Sequence, residues 1–126
     1  NAGQSINRLL DTFPATAREA LRKSLAENVA AIVCQRLVPR ASGRGMIPCN
    51  EVMINTAFIK KLILDDKVDQ ISGAISKGSE YGMFTFDQRL LQLVNAGDIT
   101  EEAAMGFANN PEALQMNLKG IFLSAD

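Results

Sequence analysis

One β-prone stretch interrupts a sequence that otherwise has helical spacing. The run from Ile32 to Val38 is rich in β-branched and other apolar residues, a composition typical of strands. Pro39 ends the run because proline cannot donate a hydrogen bond to a ladder. Residues 40–45 have the composition of a turn, and Glu51–Ile54 is a second β-prone run. This order predicts a single antiparallel hairpin within an α+β, mainly α, fold.

Helix signals lie on both sides of the predicted hairpin. Threonine or asparagine N-caps, or a proline in the first turn, mark the start of most of these segments. Before the hairpin, the predicted helices are Ser5–Phe13 and a helix from Ala15 onward with Ala17, Leu21, Leu25 and Val29 on one face. After the hairpin come Ala57–Asp65, which follows Thr56, and a helix through Val68, Ile71 and Ile75 to near Gly78. A Thr85–Gln88 capping box opens the next helix, which has Leu90, Leu91 and Val94 inward and ends at Gly97, and two more helices follow Thr100 and Asn110-Pro111.

Size and charge exclude several classes of partner. The chain has 126 residues, of which 47% are hydrophobic, so it is expected to fold as one compact unit. A formal net charge of −1 gives no basic footprint for nucleic acid or anionic lipid. No apolar run approaches the length of a membrane span, so direct membrane insertion is not expected. Cys34 and Cys49 fit no metal-ligand spacing and are expected to be small buried hydrophobes rather than a disulfide.

No arrangement of residues predicts catalysis or metal binding. The sequence contains no histidine, which is the commonest general base and metal ligand, so Ser42 and Cys34 have no activating base. Gly43-Arg44-Gly45 joins two strands instead of opening a helix and is not a phosphate loop. The candidate acids are expected to be solvated; they are Asp11, Asp65, Asp66, Glu101 and Glu102. Met83, Phe84 and Phe86 are expected to lie in the core. No catalytic residue and no metal site are predicted.

Four segments, in order, carry motifs of a known family. They are Ile6–Pro14 (INRLLDTFP), Arg22–Pro39, Glu51–Thr56 (EVMINT) and Gly82–Gln88 (GMFTFDQ). Together they resemble the C-terminal region of the type IV pilus retraction (twitching motility) ATPases, within the type II/IV secretion ATPase family. The most specific segment contains Gly82, Met83, Thr85, Asp87 and Gln88, and the capping box favours a structural role for it.

The resemblance accounts for the absence of catalytic motifs from this sequence. In the family, a phosphate loop, two acidic boxes and a histidine box hold and cleave ATP, and all of them precede the matched region. It implies that residues 1–55 end a RecA-like ATPase domain and that residues 56–126 form a helical C-terminal subdomain. The fragment alone would need no cofactor, whereas its parent would bind ATP and Mg. Asn1 and Ala2 are either native or an appended remnant.

A retraction motif of the family aligns with Phe58–Asp65. Its apolar positions match Ile59, Leu62 and Ile63, and Lys60 and Asp65 keep the charge sign, whereas Lys61 and Leu64 depart from the pattern. The resemblance implies that these residues couple the motor to its load. Spacing of three and four places the apolar residues on one helix face, and Lys60, Lys61 and Asp65 are expected to be exposed. Arg36, Arg40 and Arg44 form a small basic group around the hairpin that is either solvated or an inter-subunit contact.

The implied assembly is a cytoplasmic homo-hexamer held peripherally at the inner membrane by the pilus platform. Extension and secretion members usually insert a four-cysteine zinc module, and no Cys-x-x-Cys occurs here, which favours the retraction branch. Met46 stands where the family pattern has arginine, which leaves a divergent paralogue or an accessory motor open. The sequence also leaves open an extension or secretion ATPase fragment, a stand-alone helical adaptor, and a fragment that binds nucleotide by itself.

Overall fold

The computed structural model describes residues 1–120, which form seven α-helices and one two-stranded antiparallel sheet. In chain order the elements are α1 Ala2–Asp11, α2 Ala15–Asn28, β1 Ala31–Pro39, β2 Met46–Ile54, α3 Ala57–Leu64, α4 Ile71–Ser76, α5 Phe86–Asn95, α6 Glu101–Phe107 and α7 Pro111–Leu118. Short 3-10 turns at Val68–Gln70 and Ser79–Tyr81 precede α4 and follow it. Residues 121–126, which the predicted subdomain 56–126 includes, lie outside the described residues.

The hairpin is confirmed, and its second strand is longer than predicted. The register runs from Ala31 opposite Ile54 to Pro39 opposite Met46, so both strands have nine residues. The prediction of Glu51–Ile54 missed the first half of β2 because Pro48 and Asn50 have low strand propensity, which pairing with β1 overrides.

The first helix begins earlier than predicted. Asn1 caps α1: its side chain accepts a hydrogen bond from the Gln4 N–H (2.8 Å), and the Gln4 side chain accepts one from the Asn1 amine (3.1 Å). The prediction of Ser5–Phe13 was wrong at both ends, since α1 runs from Ala2 to Asp11. Ala2 is fully buried, so these first residues are part of the packed fold.

Two apolar clusters form the core, and β2 contributes to both. The first cluster contains Ala2, Ile6, Leu10, Ala26, Met53, Ile59, Leu62, Ile63, Val68, Ile71, Ile75 and Met83. The second cluster contains Val38, Cys49, Phe86, Leu90, Leu93, Ile99, Ala104 and Leu114. Each cluster draws residues from both sides of residue 55. The division into 1–55 and 56–126 therefore stays a prediction, and the apolar packing crosses it.

Some predicted core positions are only half-buried. On α5 the buried residues are Phe86, Leu90 and Leu93, which lie at i, i+4 and i+7 on one helix face. Leu91 and Val94, predicted to point inward, flank this face and are half-buried. Both cysteines are free; Cys49 is buried as predicted, whereas Cys34 is half-buried.

Candidate functional site

The helix that carries the retraction-motif match is anchored by its apolar residues. Thr56 caps α3 as predicted, because its hydroxyl accepts a hydrogen bond from the Ile59 N–H (3.3 Å). Ile59 and Ile63 are fully buried and Leu62 is 4% exposed. All three belong to the first cluster, which also contains the buried residues of α4. Helix α3 therefore packs on α4 within this cluster.

The polar residues of the same motif lie on the surface. Lys60, Lys61 and Asp65 are exposed, as the helical spacing predicts. Two apolar residues of this helix join them, since Phe58 is 60% exposed and Leu64 is 42% exposed. Helix α3 therefore presents two cations and two large apolar side chains to solvent, and its C-cap, Asp65, adds one anion.

The three arginines around the hairpin have different surroundings. The Arg36 guanidinium lies 5.0 Å from the centre of the Phe86 ring, and its Nη1 donates to the Phe107 carbonyl (3.4 Å). Arg40 and Arg44 are exposed and lie in the hairpin turn. The turn is fixed to the segment between α5 and α6, because the Ala41 N–H donates to the Asp98 carbonyl (2.8 Å). Arg36 thus contacts α5 and the end of α6, whereas Arg40 and Arg44 belong to the turn.

The GMFTFDQ segment, Gly82–Gln88, begins with a glycine that its backbone requires. Gly82 has φ +83°, a left-handed conformation that glycine adopts without the Cβ penalty. The next residue, Met83, is buried against Gly78, where any Cβ would clash with the Met83 Cε. The capping box is confirmed: the Gln88 N–H donates to Thr85 Oγ1 (3.1 Å), and the Thr85 N–H donates to Gln88 Oε1 (2.9 Å).

The remaining polar atoms of this segment bind other parts of the chain. The Gln88 side-chain amide donates to the Ser76 carbonyl (3.0 Å), which fixes α5 to the end of α4. The Asp87 carboxylate accepts the N–H groups of Asn109 and Asn110, both at 2.8 Å. These residues precede α7, so Asp87 fixes the start of α7 on α5. The segment thus connects three helices.

Glu51 is the residue of this region that the sequence patterns did not single out. It lies on β2, is 1% exposed, and accepts the Ala2 N–H at Oε2 (2.7 Å) and the Phe86 N–H at Oε1 (3.1 Å). Strand alternation contained the signal, since residues 49, 51 and 53 share the inward face of β2. A carboxylate between two buried apolar residues on such a face requires buried hydrogen-bond partners.

The candidate acids lie on the surface, and the Cys49 thiol is buried. The predicted acids Asp11, Glu101 and Glu102 are exposed, and Asp66 pairs with Arg22 (3.3 Å). Burial, the largest cause, raises the pKa of the Cys49 thiol to about 11, so this thiol stays protonated at neutral pH. Within residues 1–120, no group of three or more His, Cys, Asp or Glu residues is placed to hold a metal ion. None of the helices described for the chain is both long and apolar enough to cross a bilayer.

Comparison with known proteins identifies relatives that are much longer than this chain. No family model matches the sequence. The type IV pilus ATPase PilU of Pseudomonas aeruginosa is 36% identical over 119 residues, which cover 94% of this chain and 31% of the relative. The type IV pilus retractation ATPase PilT of the same organism is 38% identical over 112 residues, which cover 89% of this chain and 32% of the relative. The chain therefore spans about a third of the length of these relatives.

The fold gives the same result. A crystal structure of the pilus retraction motor PilT with bound ADP matches the structure with a TM-score of 0.78 and 30% sequence identity. The match covers 90% of this chain and 31% of that chain. Sequence and fold therefore confirm the resemblance predicted from the four motifs: this chain is homologous to part of the type IV pilus retraction ATPases.

Proposed function

We propose that this chain is the C-terminal part of a ring-forming ATPase of the pilus-retraction type, in which it transmits motion to the pilus base. The observation that supports this most directly is the homology to PilT over 89% of the chain. The proposal includes the division into residues 1–55, from a RecA-like ATPase domain, and residues 56–126, a helical subdomain.

ATP and Mg are assigned to the longer parent protein. The relatives are named ATPases, and one was crystallised with ADP, whereas the sequence here has no phosphate loop and no histidine. Gly43 and Gly45 have positive φ and lie in the turn that joins β1 to β2, whereas a phosphate loop leads directly into a helix. The chain alone is therefore proposed to need no cofactor and to hydrolyse no ATP.

The exposed face of α3 is the proposed site of coupling. Lys60, Lys61 and Asp65 are free of the packing that buries their apolar neighbours, so they can change partners without disturbing the core. Charged surface groups set the specificity and rate of encounter between proteins. We assign them to a contact with a neighbouring subunit of a homo-hexamer or with the inner-membrane platform of the pilus, on its cytoplasmic side. Arg36, Arg40 and Arg44, which are exposed around the hairpin, are a second inter-subunit contact in this proposal.

The same relatives bear on the branch of the family and on the stand-alone adaptor. Identity to PilT is 38% and identity to PilU is 36%, so a retraction motor and a related paralogue fit the sequence equally well. Both relatives are type IV pilus ATPases by name, and this agreement favours the motor over a stand-alone adaptor.

The separation of catalysis from transmission can be tested with the purified chain and its parent. We expect the 126-residue chain to show no ATP turnover above buffer and no tight Mg-ATP binding by calorimetry. The parent, measured under the same conditions, is expected to hydrolyse ATP. A magnesium-dependent hydrolysis signal that follows the short chain through every purification step would contradict the assignment of catalysis to the rest of the parent.

A further inference from the structure

Glu51 is a buried carboxylate placed between two helix starts. The Ala2 N–H and the Phe86 N–H, which it accepts at 2.7 Å and 3.1 Å, belong to the first residues of α1 and α5. The first N–H groups of a helix have no partner within the helix. The two Glu51 oxygens therefore accept the first N–H of α1 and the first N–H of α5, respectively.

The two helix starts are built alike. Asn1 with Gln4 and Thr85 with Gln88 each form a complete capping box. A capping box satisfies the N-cap and third N–H groups and leaves the first helical N–H free. Glu51 supplies that missing acceptor at both helices, so one carboxylate completes two caps.

Electrostatics favour the same arrangement. A helix N-terminus behaves as roughly half a positive charge, so two such termini balance one carboxylate. None of the described basic side chains forms an ion pair with Glu51; the pair recorded within residues 1–120 is Arg22 with Asp66. The partners of Glu51 are thus the two helices themselves.

The location of Glu51 links the two apolar clusters. Its inward neighbours on β2 divide between them, with Cys49 in the second cluster and Met53 in the first. Helix α1 packs in the first cluster and α5 in the second. The backbone bridge between Val52 and Phe84 (3.0 and 3.3 Å) holds the start of α5 against β2. Glu51 is therefore a polar connection between α1 in the first cluster and α5 in the second, and it hydrogen-bonds the first N–H of both helices.

From this geometry we infer that Glu51 is a positioning residue that couples the start of α1 to the start of α5. When the start of α1 is displaced, the Glu51 carboxylate moves with the Ala2 N–H. The Phe86 N–H then moves too, because it is bound to the other oxygen of the same carboxylate. Asp87 then carries the change to α7 through Asn109 and Asn110. The use of this coupling rests on the proposed motor function, in which α1 is the part of the chain next to the ATPase machinery.

The test compares two cap removals in the isolated chain, with the Phe86 amide as the reporter. Asn1→Ala weakens the cap of α1, and Thr56→Ala weakens the cap of α3, which packs in the same cluster as α1. Loss of either cap lowers overall stability by a similar amount. We expect Asn1→Ala to shift the Phe86 amide resonance and to raise its hydrogen-exchange rate by up to about fivefold beyond the change that Thr56→Ala produces.

A second set of variants tests whether Glu51 carries the effect from α1 to Phe86. In a Glu51→Gln background the amide NH2 replaces one acceptor oxygen, so the extra response of Phe86 to Asn1→Ala should disappear. Equal effects of Asn1→Ala and Thr56→Ala on Phe86 would overturn the inference, and so would an extra response that persists in Glu51→Gln. The first arm leaves Glu51 unchanged and stands if Glu51→Gln does not fold. These measurements involve no nucleotide and no pilus. A negative result would therefore overturn the coupling through Glu51 without contradicting the proposed motor function.

Discussion

Helix α3 and helix α5 both carry family motifs, and they use their polar residues in opposite ways. On α3, Lys60 and Lys61 are exposed on the face away from a buried apolar stripe, and Asp65 at its C-cap is exposed as well. On α5, Asp87 and Gln88 bind backbone groups of neighbouring segments. A polar motif residue with every atom engaged stabilises the fold, whereas an exposed one is available to a partner. Resemblance to a motif cannot make this distinction, but hydrogen bonding and exposure can.

The largest effect is expected from the buried side of α3. Leu62→Ala should lower the free energy of unfolding by about 2–5 kcal/mol, because it empties a leucine site in the first cluster. Leu64→Ala on the same helix is the matched control, since Leu64 is 42% exposed, and it should cost less than about 1 kcal/mol. Urea denaturation measures both. Similar losses for the two variants would mean that α3 is not packed as described.

The next effect concerns the acceptor that α5 provides for α7. Asp87→Asn replaces one of two oxygens that accept backbone N–H groups, so it should cost about 1.5–3 kcal/mol, the range for hydrogen bonds to charged groups. Asp69→Asn removes an exposed carboxylate and should change stability little. Urea denaturation of the two variants gives the comparison. If Asp87→Asn proved as stable as Asp69→Asn, the Asp87 carboxylate would not stabilise the fold. The contrast between the polar motif residues of α5 and those of α3 would then disappear.

A smaller effect is expected at the N-cap of α5. Thr85→Ala removes the acceptor for the Gln88 N–H and should lower the free energy of unfolding by about 1 kcal/mol. Thr85→Ser keeps the hydroxyl and should retain most of the stability. Thermal denaturation of both variants distinguishes the cap from other roles. A serine variant as unstable as the alanine variant would show that the hydroxyl is not what Thr85 contributes.

The smallest effect on folding is expected on the exposed side of α3. Replacing Lys60 and Lys61 together by alanine should change the free energy of unfolding by less than about 0.5 kcal/mol, because exposed charges contribute little. Urea denaturation of the double variant checks this value. A loss of several kcal/mol would show that the lysines support the fold, and the contrast between α3 and α5 would disappear.

The features that the sequence predicts best are the local ones. Thr56, Thr85, Thr100 and Asn110 all cap helices as expected, because the side chain and the N–H it binds are three residues apart. The exposure of Lys60 and Lys61 likewise follows from helical spacing alone. Local patterns therefore indicate most helix starts and the two faces of α3.

The features that were missed depend on distant parts of the chain. Glu51 binds N–H groups 49 and 35 positions away in sequence, and Asp87 binds groups 22 and 23 positions away. No local pattern encodes these contacts, since they arise when β2 packs against the starts of α1 and α5 and when α5 packs against the start of α7. The early start of α1 was missed for a different reason: the Asn1–Gln4 capping box lies at the first residues of the sequence, where native and appended residues look alike.

The most direct test of the transmission role measures ATP hydrolysis and pilus retraction together in the parent protein. We expect Lys60→Ala combined with Lys61→Ala to keep the ring and the ATP hydrolysis rate and to lose retraction, because the exposed face of α3 is the proposed site of coupling. A double variant at two exposed lysines elsewhere, Lys23→Ala with Lys119→Ala, should keep both activities. Normal retraction by the Lys60 and Lys61 variant would contradict the assignment of coupling to this face.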